Sequence, residues 1–152
     1  MLKGLDPLLN ADVLYVLRAM GHGDDVVIGD TNFPADHLAR QTSYGKLLRI
    51  DASAARVAQA ILSIMPLDTF ADDPAGRMQV GDDPEKVLDV HQEVQAAIDQ
   101  SAQEQKSWPL IPVERFAFYE RARKAYAIIQ TGERRFYGCF AFRKGVIAPD
   151  AE

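Results

Sequence analysis

The stretch MGHGDDVVIGDTNFP, residues 20–34, holds the side chains best suited to chemistry: His22 between two glycines, then Asp24, then Asp30 behind a short apolar run. An imidazole titrates near neutral pH, so a histidine aimed outward from a turn can both give and take a proton. Gly21 and Gly23 let the backbone bend there. Asp30 follows the apolar run 26–28 directly, and in open α/β sheets ligands bind at the carboxyl ends of strands. The plainer reading of the same carboxylate is a loop cap. His22 and Asp30 flank one strand from opposite ends, so they meet, if they do, through folding or through a second copy of the chain.

The other ionisable residues divide on similar grounds. No two of the three histidines stand at the four-residue helical spacing of a metalloenzyme motif, so no metal site is expected. His91 lies near the apolar edge of a helix and reads as a packing or surface residue, and His37 falls in a segment without a pattern. Arg115 opens a helix close to a strand end, whereas Arg121, Arg123 and Lys124 alternate with acids and read as a solvated face. Tyr137 precedes Gly138 on a late strand, which lets a phenol face a ligand close to the backbone; the commoner reading of such a residue is a buried packing tyrosine. Cys139 has no partner that would lower its pKa and reads as a small buried apolar residue. The GHG triplet lacks the third glycine and the preceding strand of a dinucleotide fingerprint. Walker-type, GxSxG and CxxC motifs are absent.

These residues need elements to position them. Asn10 starts a helix over 11–20, with Val13, Leu17 and Met20 on one stripe and Gly21 at its end. Val26, Val27 and Ile28 form a run without alternation, as in a strand covered on both faces. Residues 35–45 show no period. A second strand is expected over 47–51, followed by a helix that Ser53 caps and Pro66 stops. Weak strand signals at 69–71 and 78–80 precede a helix expected from Asp83-Pro84 to about Gln103. The prolines in 108–113 suggest a sheet edge. A helix over 114–124, a strand over 126–130, a turn at 131–133 and a strand over 136–142 complete the order, with a loose tail from Gly145.

Composition narrows the class. One domain over 1–152 suits this length. Hydrophobic residues make up 47% and charged residues 26%, the balance of an ordinary globular protein. A net charge of −5 without a basic stripe argues against nucleic acid. No apolar run is long enough to span a bilayer and no signal peptide stands out, so a cytosolic protein without a membrane partner is expected. The single cysteine leaves no internal disulfide framework.

Taken together, MLKGLDPLL, MGHGDDVVIGDTNFPA, RFAFYERARKAYAIIQTGER and FYG resemble the sugar mutarotase family of L-fucose mutarotase and D-ribose pyranase, closer to the fucose branch. The similarity implies a three-layer α/β/α fold with a mostly parallel sheet, in a homo-oligomer, commonly a decamer built from rings, with sites between subunits. It implies an isomerase that needs no cofactor and interconverts the anomers of a monosaccharide. By resemblance His22 matches the acid/base histidine, and Asp30, Arg115 and Tyr137 match residues that hold the sugar. The family's Tyr-Gly-Asn motif falls on Tyr137, Gly138 and Cys139, and Cys139 supplies a thiol where the family has a sugar-touching amide. Pyranose/furanose exchange of D-ribose, or sugar binding without turnover, are the alternatives.

Overall fold

The computed structural model describes residues 1–102 and 107–151. Helices α1 (Ala11–Ala19), α2 (Ala35–Ala39), α3 (Ala54–Leu62), α4 (Asp89–Ser101) and α5 (Arg115–Lys124) alternate with six strands. The strands are β1 (Asp25–Gly29), β2 (Leu47–Ile50), β3 (Ala75–Met78), β4 (Ile111–Val113), β5 (Ala127–Thr131) and β6 (Phe140–Arg143). They form one sheet in the order β2-β5-β1-β6-β3-β4. Five run parallel; β6 runs against its neighbours β1 and β3. The fold is therefore the expected α/β/α type with a mostly parallel sheet.

Local chemistry sets the elements. Asn10 Oδ1 accepts the Val13 amide at 3.0 Å and Ser53 Oγ the Arg56 amide at 3.3 Å, so both polar caps read from the sequence start helices. Because successive strand residues point to opposite faces, the apolar run of β1 fills two cores at once. Val26 and Ile28 pack with Phe140 and Phe142 under α1, α3 and α4, while Val27 packs with Ile128 and Ala141 under α2 and α5. The β4 strand, which contains Pro112, lies at the edge as expected. At the amino end of β1, Asp25 accepts two hydrogen bonds from Arg121 at 2.9 and 3.0 Å, and Arg143 adds a third at 3.4 Å. Arg121 thus turns inward from the face expected to be solvated.

Other expectations change for identifiable reasons. The segment read as patternless contains α2, whose five residues are too few to show a helical period. Residues 69–71 form no strand, and β3 begins at Ala75, where Gly76 admits the Arg121 guanidinium: a Cβ there would lie 2.9 Å from Nη1. The fourth helix starts at Asp89 rather than Asp83, because Asp83 turns onto the Glu85 amide and Arg77 binds the Pro84 carbonyl, holding 83–87 as an exposed loop. The expected end of that helix at Gln103 lies outside the described residues. Phe136 and Tyr137 belong to a turn before β6, not to the strand itself.

Candidate functional site at the two ends of the central strand

The carboxyl end of β1 gathers most of the candidate residues. Asp30 is 4% exposed, and its carboxylate accepts from the amides of Asn32 (2.9 Å), Phe33 (3.0 Å) and Gly138 (3.1 Å) and from the Cys139 thiol (3.5 Å). One buried carboxylate therefore ties the loop after β1 to the approach to β6. Only glycine fits at 138, since an added Cβ would come within 2.7 Å of Glu133 Cγ. Cys139 is buried, and burial followed by the Asp30 charge pushes its thiol well above the usual range, so it stays protonated and donates. This agrees with its reading as an inert residue.

Arg115 and Tyr137 complete this end. The Phe33 ring packs edge-on against Tyr119 at 5.7 Å, and the Tyr119 hydroxyl accepts from Arg115 Nε at 3.1 Å. The Arg115 guanidinium also lies over the Phe116 and Tyr119 rings, at 5.6 and 5.5 Å. The Tyr119 bond first, then the charge fields of Tyr119 and Tyr137, hold Arg115 above its ordinary pKa. Tyr137 has φ 61°, a left-handed backbone that tyrosine rarely adopts, and its side chain borders the α2/α5 core. Phe116 and Phe136 stand beside these groups 66% and 71% exposed, so this end presents aromatic surface to whatever adjoins it.

His22 is elsewhere. It precedes β1, at the amino end, whereas Asp30 follows the strand's carboxyl end. At about 3.3 Å per residue the strand alone separates them by roughly 15 Å. The His22 Nε2 lies 3.0 Å from Asp68 Oδ1, and the ring rests 5.6 Å from the exposed Phe70. The His22 side chain is 46% exposed and that of Asp68 7%. Burial would raise the Asp68 carboxyl, but the bonds from His22 and the Phe70 amide outweigh it and hold it below its ordinary value. An ionised carboxylate only accepts, so Nε2 carries a proton and a neutral ring leaves Nδ1 free to take one. Beneath the turn, Lys144 Nζ donates to the Leu17 carbonyl at 2.7 Å and to the Met20 carbonyl, capping α1, while the Lys144 carbonyl accepts from Gly23 at 2.9 Å.

Strand β6 links the two ends: Gly138 and Cys139 precede it, and Lys144 follows it. Thus the structure brings Asp30, Gly138 and Cys139 into contact, sets Arg115 and Tyr137 beside them, and leaves His22 apart. Sequence reasoning missed three contributors. Asp68 lies beside a stretch of weak strand signals, and Tyr119 lies inside the helix expected over 114–124 with no local pattern to mark it. Glu133, read as a turn residue, accepts from Arg135 and the Ala54 amide, while its carbonyl accepts from Thr31 at 2.8 Å. None of the expected site residues lines the cleft of about 1170 Å³ between α3, α4 and the tail, whose wall includes Phe70 beside the His22 ring. Among the described residues, no group of three or more His, Cys, Asp or Glu could hold a metal, and no helix is long and apolar enough to cross a membrane.

Fold and side chains define the class as a small α/β/α protein that presents acid/base and hydrogen-bonding groups at both ends of its central strand. The chain belongs to the RbsD / FucU transport protein family, whose model matches residues 3–147. It is 38% identical to the fucose mutarotase of Homo sapiens over 150 residues, covering 97% of this chain and 95% of that protein. The crystal structure of protein Atu2016 is 58% identical, with a TM-score of 0.93 and 97% of each chain covered. That of the fucose mutarotase from Streptococcus pneumoniae in complex with L-fucose is 31% identical, with a TM-score of 0.84, and covers 97% of this chain and 100% of that one.

Proposed function

We propose that the protein is a sugar mutarotase that interconverts the α and β anomers of L-fucose or a sugar of like stereochemistry. Mutarotation delivers one proton to the ring oxygen and removes one from the anomeric hydroxyl. The ring opens, the aldehyde rotates about its bond to the next carbon, and closure yields the other anomer. The proton given to the ring oxygen balances the one taken from the anomeric hydroxyl, and ring opening changes no overall oxidation level, so the reaction calls on no cofactor. The observation that carries this reading is the half-exposed His22 ring backed by the buried Asp68 carboxylate. Its Nδ1 takes the anomeric proton, and the imidazolium so formed, stabilised by Asp68, returns one to the ring oxygen. Such general acid–base transfer contributes about 10²–10⁴-fold.

At the other end of β1, Asp30, Arg115 and Tyr137 bind the sugar hydroxyls, with Gly138 giving close approach to the backbone. The thiol is the weakest donor on Asp30, so a sugar hydroxyl replaces the Cys139 contact at least cost. Because the proton-transfer group and the sugar-holding groups lie at opposite ends of one strand, a working site takes His22 from one subunit and Asp30, Arg115 and Tyr137 from another. That arrangement supports a homo-oligomer, a decamer by family likeness; a cytoplasmic location is part of the same proposal. Saturation-difference NMR tests the reading: the protein accelerates anomer exchange of L-fucose, and His22→Ala abolishes the acceleration. Binding without faster exchange, or pyranose/furanose exchange of D-ribose alone, would replace it.

A further inference from the structure

His91 is 1% exposed, and both its nitrogens are engaged. The Leu88 amide donates to Nδ1 at 3.1 Å, at the start of α4, and Nε2 lies 3.0 Å from the Tyr137 carbonyl. An amide proton pointing at Nδ1 leaves that nitrogen unprotonated, so the neutral ring carries its proton on Nε2 and donates to Tyr137. The edge of Phe140, with ring centroids 5.9 Å apart, and the buried Arg77 guanidinium adjoin the ring. Burial lowers its pKa, and the Arg77 charge adds to this while the bond to the Tyr137 carbonyl opposes it, so the balance favours the neutral form.

The carbonyl it grips belongs to the one non-glycine residue with positive φ among those described. A left-handed tyrosine persists only where its surroundings hold it. Arg135 and Gly138, on either side, are fixed by Glu133 and Asp30, at 3.0 and 3.1 Å. The Tyr137 carbonyl is the remaining point of control, and it is held from α4, across the sheet from the α5 layer where Arg115 stands. Filling that volume with an apolar ring would avoid burying two polar nitrogens, so the imidazole is explained by the bonds it makes rather than by packing.

We propose that His91 is a positioning residue for the sugar site: by holding the Tyr137 carbonyl it fixes the left-handed turn that aims the phenol beside Arg115, a role that rests on the mutarotase reading of Tyr137. His91 itself touches no substrate.

Two variants divide its bonds, since asparagine can replace Nδ1 and glutamine Nε2. His91→Asn keeps the helix cap and loses the Tyr137 bond, so KM for L-fucose anomer exchange should rise about tenfold, and the carbonyl left without this partner should lower the unfolding midpoint as well. His91→Gln keeps the Tyr137 bond and should recover most of that loss. In a Tyr137→Phe background, His91→Asn should change KM less than twofold, because the phenol it aims is already gone. An active wild type whose KM is unmoved by His91→Asn, or a full tenfold loss persisting in the Tyr137→Phe background, overturns the positioning role alone. If His91→Asn does not fold, a tenfold KM rise in His91→Gln overturns it as well. A wild type that accelerates exchange of neither L-fucose nor D-ribose overturns the functional reading and this role with it.

Discussion

The Nε2 atom of His22 lies 3.0 Å from Oδ1 of Asp68, a residue 46 positions further along the chain. The carboxylate fixes the tautomer of the exposed ring and stands ready to stabilise its charged form. Its position depends on β6: the Asp68 amide donates to the Arg143 carbonyl at 3.0 Å, and Gly145 donates to Pro66 at 2.8 Å. Asp68→Asn keeps the shape and removes the charge, so the exchange rate at saturating sugar should fall about 10–100-fold with little change in KM. Saturation-difference NMR across sugar concentrations separates the two parameters.

The distance between the ends of β1 makes a complementation test decisive. His22→Ala and Arg115→Ala subunits are each expected to be inactive as pure oligomers. Unfolded together in equal amounts and reassembled, about a quarter of their shared sites should combine an intact His22 with an intact Arg115. Exchange activity recovered only after mixing supports sites built between chains; silence in the mixture, with assembly verified by size, argues for sites within one chain.

Acid should weaken the fold through Glu133. Bonds from the Arg135 side chain, opposed by burial and aided by the Arg135 and Ala54 amides, lower this carboxyl from 4.5 to about 2. As pH falls the unfolded chain takes up the proton first, so stability present above about 4.5 is lost on the way down to about 2. Arg135 is 44% exposed, and solvent there weakens the pair. Glu133→Gln should therefore cost on the order of 2 kcal/mol near neutral pH, with the gap to wild type closing below pH of about 4. Urea titrations across this range give the measurement.

A second stability prediction concerns the inward-turned Arg121, whose guanidinium and the Asp25 carboxylate are both 11% exposed. Arg121→Met leaves Asp25 with the weaker Arg143 contact, and should destabilise the protein by about 3 kcal/mol. Adding Asp25→Asn should recover part of that loss, because no buried charge then lacks its partner. Failure of the double variant to improve on the single one in urea unfolding would assign the cost to lost packing instead.

Much of the architecture was legible from the chain because caps, periodicity and breakers act over a few residues. Asn10 and Ser53 start their helices through their own side chains, and Val26 to Ile28 announce a covered central strand. The candidate site residues could be named for the same reason: a histidine between glycines, an aspartate after a strand, an arginine opening a helix and a tyrosine before a glycine are local patterns. The start of α4 and the edges of β3 and β6 were not legible. They depend on Arg77 reaching Pro84, on Gly76 admitting Arg121, and on His91 and Glu133 gripping the Tyr137 turn.

The sequence by itself determined which chemical groups this protein has and which short elements carry them, because those follow from neighbours along the chain. Tertiary structure alone decided that Asp68 backs His22, that Asp30 accepts from the Cys139 thiol, and that Arg115 stands near Tyr137 at the end of β1 remote from His22. These are contacts between distant segments. They are fixed by the burial of two apolar layers on opposite faces of one sheet, and by the direction in which β6 runs back along β1.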